Sequence, residues 1–153
     1  MNDSLSNQQQ GKVLPVRSSS NLIGRKVLLV DDEPSYRDSL GHVLRHENYD
    51  VRTASCAKAA MDAARDFVPD ILIVDWMLRD EMDGVEVAQN LRSINPDMKT
   101  IFITGYRTSR LESQMGEIPF SQALSKPFSL DEFLEAIRLA TVQIDSTEES
   151  HRT

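Results

Sequence analysis

Several residues able to do chemistry stand at the ends of short runs that read as strands. KVLLVD (26–31) ends in Asp31, with Asp32 and Glu33 next, and DILIVD (70–75) ends in Asp75. KTIFIT (99–104) ends in Thr104, and SQALSK (121–126) ends in Lys126, ahead of Pro127. Clustered carboxylates repel one another and call for a cation. A hard, oxygen-preferring ion such as Mg²⁺ suits them, because it keeps waters and bridges to phosphate oxygens. A carboxylate can also attack a phosphoryl group and form an acyl phosphate. The oxygens of that group then need neutralising partners, which an ammonium such as Lys126 and a hydroxyl such as Thr104 supply. Taken singly, each residue has an ordinary alternative. An Asp after a strand often caps a helix or closes a turn, and a lone lysine is usually a solvated surface residue. The joint pattern, drawn from separate elements, points to phosphoryl transfer onto a carboxylate.

The elements that must position these groups alternate along the chain. The runs at 26–31, 70–75 and 99–104 are continuously apolar, as strands buried on both faces are. YDVRTA (49–54) alternates like a strand, and 121–126 is a short fifth one. Between them lie helical patterns. Tyr36, Leu40, Val43 and Leu44 share a face behind Pro34, a residue suited to a first helical turn. Ala57, Ala60, Met61, Ala64 and Phe67 share another. Gly84, Val87, Ala88, Leu91 and Ile94 form a third, stopped by Asn95-Pro96. Residues 107–117 give a weak helix with only Leu111 and Met115 inward. Ser129 and Glu132 read as a capping box before Leu130, Phe133, Leu134 and Ile137. Five βα units imply a mainly parallel sheet with helices on both faces. In such sheets ligands bind beyond the carboxyl ends of the strands, where the acids, Thr104 and Lys126 stand.

The bulk properties narrow the classes. A chain of 153 residues suits one domain. Its net charge of −7 argues against direct nucleic-acid binding, which needs clustered Lys and Arg. The single cysteine, Cys56, offers neither an internal disulfide nor a zinc set. No apolar run reaches the length of a membrane span, and residues 1–23 contain no secretory signal, so membrane insertion is not expected and the location is expected to be cytoplasmic. Residues 1–23 are rich in Ser, Asn and Gln and read as a flexible tail, as do residues 143–153. The folded unit is expected at 24–142.

VLLVDDEPS, DILIVDWML with MDG following, FITG and LSKPF together resemble the receiver domain of bacterial response regulators, over about residues 25–142. The resemblance implies a stand-alone, CheY-like (βα)₅ domain of the flavodoxin-like class, a doubly wound five-stranded parallel sheet with strand order 2-1-3-4-5. It implies that Asp75 is the phosphoacceptor and that Mg²⁺ is held by Asp31, Asp32, Asp75 and the backbone carbonyl of Met77. Thr104 and Lys126 would contact the phosphoryl group, and the Lys126–Pro127 peptide would be cis. The phosphoryl donor would be a histidine kinase or a histidine phosphotransfer protein, and the output would pass to a downstream protein by contact. No turnover of an external substrate is expected.

Two positions depart from the family pattern. Gly84 stands nine residues after Asp75, making that loop one residue longer than usual, with Arg79-Asp80 in place of the customary proline region. Ala123 occupies the place, three before the lysine, where many receivers carry a mobile aromatic. Tyr106 is the nearby candidate for a moving ring or a shield. Other readings are a degenerate receiver used as a phosphorylation-independent interaction module, a haloacid-dehalogenase-type phosphatase and a flavodoxin-like FMN protein. The phosphatase would want an Asp where Met77 stands, and DDEPS would repel an FMN phosphate in the absence of metal.

Overall fold

The computed structural model describes residues 24–152 except 80, 106 and 107, and past Ser146 it describes backbone alone. The elements in chain order are β1 (Lys26–Val30), α1 (Pro34–His46), β2 (Asp50–Ala54), α2 (Ala57–Phe67), β3 (Ile71–Asp75), α3 (Gly84–Arg92), β4 (Lys99–Thr104), α4 (Ser109–Met115), β5 (Ser121–Ser125) and α5 (Leu130–Arg152). All strand pairs are parallel, in the order β2-β1-β3-β4-β5. The expected doubly wound sheet is therefore present, with β3 at its centre.

Successive strand residues point to opposite faces, so each apolar run feeds two cores. Leu28, Val30, Leu72, Val74 and Phe102 pack under α2, α3 and α4 with Ala60, Ala64, Val87, Leu91 and Leu111. Val27, Leu29, Ile71, Ile73, Ile101 and Ile103 pack under α1 and α5 with Leu40, Leu44, Phe133 and Ile137. Every residue of β3 and β4 is buried. This two-sided burial is why ILIV of β3 and IFI of β4 read as continuous apolar stretches rather than alternating ones.

Local signals set the helix starts. Pro34 opens α1. At α5 the Ser129 hydroxyl accepts from the Glu132 N–H at 3.1 Å, and the Glu132 carboxylate accepts from the Ser129 N–H at 2.9 Å. Asp83 and Glu86 make a second capping box at α3. Cys56 is the N-cap of α2, its sulfur accepting from the Ala59 N–H at 3.4 Å.

Three expectations change. Ile94 and Leu130 are 41% and 54% exposed, not inward. Helix α3 stops at Arg92, two residues before Ile94, and Leu130 is the first residue of α5. The third concerns the segment from residue 143, expected to be a flexible tail. It is helical, since α5 continues to Arg152. The polar composition of IDSTEESHRT hides the reason. Phe133, Ile137, Ala140 and Ile144 form one buried stripe at helical spacing, and Ile144 is only 6% exposed. Asp145 then accepts from the Arg25 guanidinium at 2.9 Å. The tail assigned to residues 1–23 lies outside the described residues.

Candidate functional site

The carboxyl ends of β1, β3, β4 and β5 bring the predicted residues to one edge. Asp31 follows β1, Asp75 ends β3, Thr104 ends β4, and Lys126 follows β5. One carboxylate oxygen from each of Asp31, Asp32 and Asp75 lies within 4.8 Å of the others. Asp31 is wholly buried and Asp75 is 7% exposed, whereas the Asp32 side chain is partly open.

Both oxygens of Asp75 are engaged. Oδ1 accepts from the Met77 N–H at 2.9 Å, and Oδ2 lies 3.3 Å from Nζ of Lys126. That ammonium is shared. It donates to Glu33 Oε1 at 2.6 Å and lies 3.2 Å from Asp31 Oδ2. The contact with Asp31 is an ion pair without hydrogen-bond geometry, so among the described residues Oδ2 of this buried carboxylate has no directed donor. Asp31 Oδ1 accepts from the Glu33 N–H at 2.8 Å, and the Asp31 carbonyl accepts from Arg37 at 2.7 Å. Glu33 sits at the N-cap of α1 but caps nothing with its side chain, which is spent on Lys126.

Burial pushes the Asp31 carboxyl above the ordinary carboxylate range, and the Glu33 N–H and Lys126 offset this only in part. Burial opposes the charge on Lys126. The bond to Glu33 and the charges of Asp75 and Asp31 outweigh it and hold the ammonium above its usual value. Lys126 in turn holds the Glu33 carboxyl below its usual range. Asp31, Asp32 and Asp75, with an oxygen of buried Asp31 that no hydrogen bond satisfies among the described residues, are a donor set suited to a hard divalent cation.

The loop after Asp75 is shaped by backbone contact. The Gly84 N–H donates to the Trp76 carbonyl at 3.0 Å. A Cβ at Gly84 would collide with the backbone of Asp75 and lie 2.9 Å from Cα of Trp76, so only glycine fits the close approach. Met77 is 62% exposed at the mouth of the site. Arg79 reaches Asp32, with Nε 3.8 Å from Oδ2. Thr104 is fully buried, and its carbonyl accepts from the Lys126 N–H at 2.7 Å. The Lys126–Pro127 peptide is cis. Ala123 pairs with Phe102 across β4 and β5. Tyr106, the candidate moving ring, lies outside the described residues, as does Asp80.

Two participants have no clear signal in the sequence. Glu33 stands beside Asp31 and Asp32 in the acidic run, but the sequence does not show its pairing with Lys126; only the fold brings the two together. Trp76 is 8% exposed, and its indole N–H donates to the Gln114 side chain of α4 at 3.1 Å.

A family model described as the response regulator receiver domain matches residues 27–138. The probable transcriptional regulatory protein TcrX of Mycobacterium tuberculosis is 33% identical over 114 residues, covering 73% of this chain and 47% of that protein. Sporulation initiation phosphotransferase F of Bacillus subtilis is 26% identical over 117 residues, covering 76% of this chain and 94% of that protein. The chain thus spans about half the length of TcrX and nearly the whole of the phosphotransferase. Among solved structures, chemotaxis protein CheY4 of Vibrio cholerae matches with a TM-score of 0.69 at 25% identity, covering 75% of this chain and 97% of that one. A CheY-like receiver domain protein of Methanospirillum hungatei shares the fold with a TM-score of 0.73 at 24% identity, covering 83% and 98%.

Proposed function

This chain belongs to the response regulator receiver family, and on that premise we propose that it accepts a phosphoryl group on Asp75 from a histidine kinase or a histidine phosphotransfer protein. Receiver domains act in two-component signalling, and the family is not one of classical substrate-turnover enzymes. The observation that carries the acceptor assignment is the environment of Asp75: a carboxylate at the end of the central strand, with Asp31 and Asp32 beside it and the Lys126 ammonium 3.3 Å from Oδ2. The resemblance to sporulation initiation phosphotransferase F, whose length this chain nearly spans, supports a phosphotransfer role.

In the proposed step an Asp75 oxygen attacks phosphorus. The new P–O bond forms as the bond from phosphorus to the donor breaks, and the donor leaves with that electron pair. Lys126 neutralises an oxygen of the transferring group, and the Thr104 hydroxyl donates to another. The Met77 N–H already holds Asp75 Oδ1 and so orients the nucleophile. Asp31, Asp32, Asp75 and the Met77 carbonyl would hold Mg²⁺, which supplies charge neutralisation at the phosphoryl oxygens. The output is contact with a downstream protein.

The test is labelling with acetyl phosphate. Wild type is expected to take up label only with Mg²⁺, and Asp75→Asn to take up none while keeping its far-UV spectrum. Full labelling of Asp75→Asn, or none of wild type, contradicts the proposal. The second outcome would favour a phosphorylation-independent interaction module.

A further inference from the structure

The Lys126 ammonium has a fourth neighbour besides its three carboxylates. It lies over the ring of Tyr36, 4.1 Å from the centroid, at the first turn of α1. The rings continue from there. Tyr36 meets Phe128 at 5.8 Å between centroids, tilted by 46°, and Phe128 stacks on Phe133 of α5 at 5.9 Å and 22°. These three rings, with Leu40, Val43 and Leu130, line an apolar groove of about 320 Å³ between α1 and the start of α5. One end of the train touches a charge of the site, and its members form the wall of a surface groove.

We infer that Tyr36 is a positioning residue for Lys126 and that, through Phe128 and Phe133, it couples the charge state of Asp75 to the shape of the α1–α5 groove. The inference rests on the phosphoacceptor reading of Asp75. An ammonium has three N–H donors. In the structure the ammonium donates to Glu33 and Asp75 and pairs by charge with Asp31, and the ring face of Tyr36 supplies further negative potential. A phosphoryl group on Asp75 adds charged oxygens on one side of that arrangement. Nζ is then drawn towards them, away from Glu33 at 2.6 Å and from the Tyr36 ring. Tyr36 loses the cation that fixes its ring. Phe128 receives the same displacement by a second route, because it follows Lys126 by two residues in the chain. Both rings are partly buried and packed against the α1–α5 core, so a change in one is passed to the other and to Phe133 rather than lost in solvent.

The test uses the full chain with methyl-labelled Leu and Val, followed by NMR with and without Mg²⁺ and beryllofluoride. The fluorine resonance of bound beryllofluoride reports occupancy separately. In wild type, occupancy is expected to shift the Leu40, Val43 and Leu130 methyls. In Tyr36→Leu, at saturating reagent, those shifts should be mostly lost, and Tyr36→Phe, which keeps the ring, should restore them. Phe128→Leu breaks the train one ring later and should lose the shifts of Leu130 while leaving Tyr36 in place; it serves as the decisive variant if Tyr36→Leu does not fold. Groove shifts as large in Tyr36→Leu or in Phe128→Leu as in wild type, or an occupied wild-type site with an unmoved groove, overturn the inference. Absence of a bound fluorine resonance in wild type instead removes the phosphoacceptor reading beneath it.

Discussion

Burial would favour a neutral amine at Lys126, yet three acids keep it charged, and this balance sets the resting energetics of the site. Removing the ammonium takes away the cation that pairs with wholly buried Asp31 at Oδ2. Lys126→Ala is therefore expected to destabilise the metal-free protein by about 3 kcal/mol, the cost of breaking a buried pair, and added Mg²⁺ should return part of it. Urea unfolding with and without the metal checks this; an unchanged midpoint for the metal-free variant would contradict it. At this scale the acids, Thr104 and Lys126 were legible because each stands at the end of a strand-like run, where local sequence dictates position. The bond between Glu33 and Lys126 was not, because its two partners lie 93 residues apart. Trp76 was not, because its bond to Gln114 depends on how α4 packs, and α4 is short with little apolar patterning.

Helix α5 shows how composition can mislead about an element. Its second half is polar overall, but one residue in four is enough to continue a buried stripe. Ile144→Ala is expected to cost about 2 kcal/mol, as truncation of a buried isoleucine does; a loss near zero would mean that residues beyond Val142 contribute nothing to the fold. The same helix is tied to the chain leading into β2, where the Tyr49 hydroxyl lies 2.8 Å from the Thr141 hydroxyl in the interior. Burial raises the Tyr49 phenol above its ordinary value of 10.0, and the contact with Thr141 offsets this only in part. The fold thus favours the protonated phenol. Its contribution is complete below 10.0 and is lost as pH rises through the raised value. Wild type should lose stability more steeply than Tyr49→Phe in that alkaline window, measured by denaturant midpoints; parallel profiles would show that the phenol does not couple to folding. The central strands β1, β3 and β4, by contrast, were legible almost to the residue, because burial on both faces makes the middle of each apolar.

Across the whole molecule the strand order β2-β1-β3-β4-β5 does the gathering: β1 and β3 are neighbours, so Asp31, Asp32 and Asp75 meet although 44 residues separate Asp31 from Asp75. A chain with net charge −7 concentrates these acids at one edge, and a cation that binds the folded state alone stabilises it by mass action. Mg²⁺ at about a hundred times its dissociation constant should add about 2.7 kcal/mol, seen as a rise in melting temperature beyond that given by NaCl of equal ionic strength. Equal melting curves in the two salts would count against the metal site. Among the described residues no helix is long and apolar enough to cross a membrane. The most direct measurement of the central claim is chemical mapping of the modified residue. The full chain is treated with acetyl phosphate and Mg²⁺, the acyl phosphate is reduced with borohydride, and the peptides are sequenced by mass spectrometry. The predicted result is homoserine at position 75 and at no other aspartate. Homoserine at Asp31 or Asp32, or unmodified Asp75 in a protein shown to bind Mg²⁺, would contradict it.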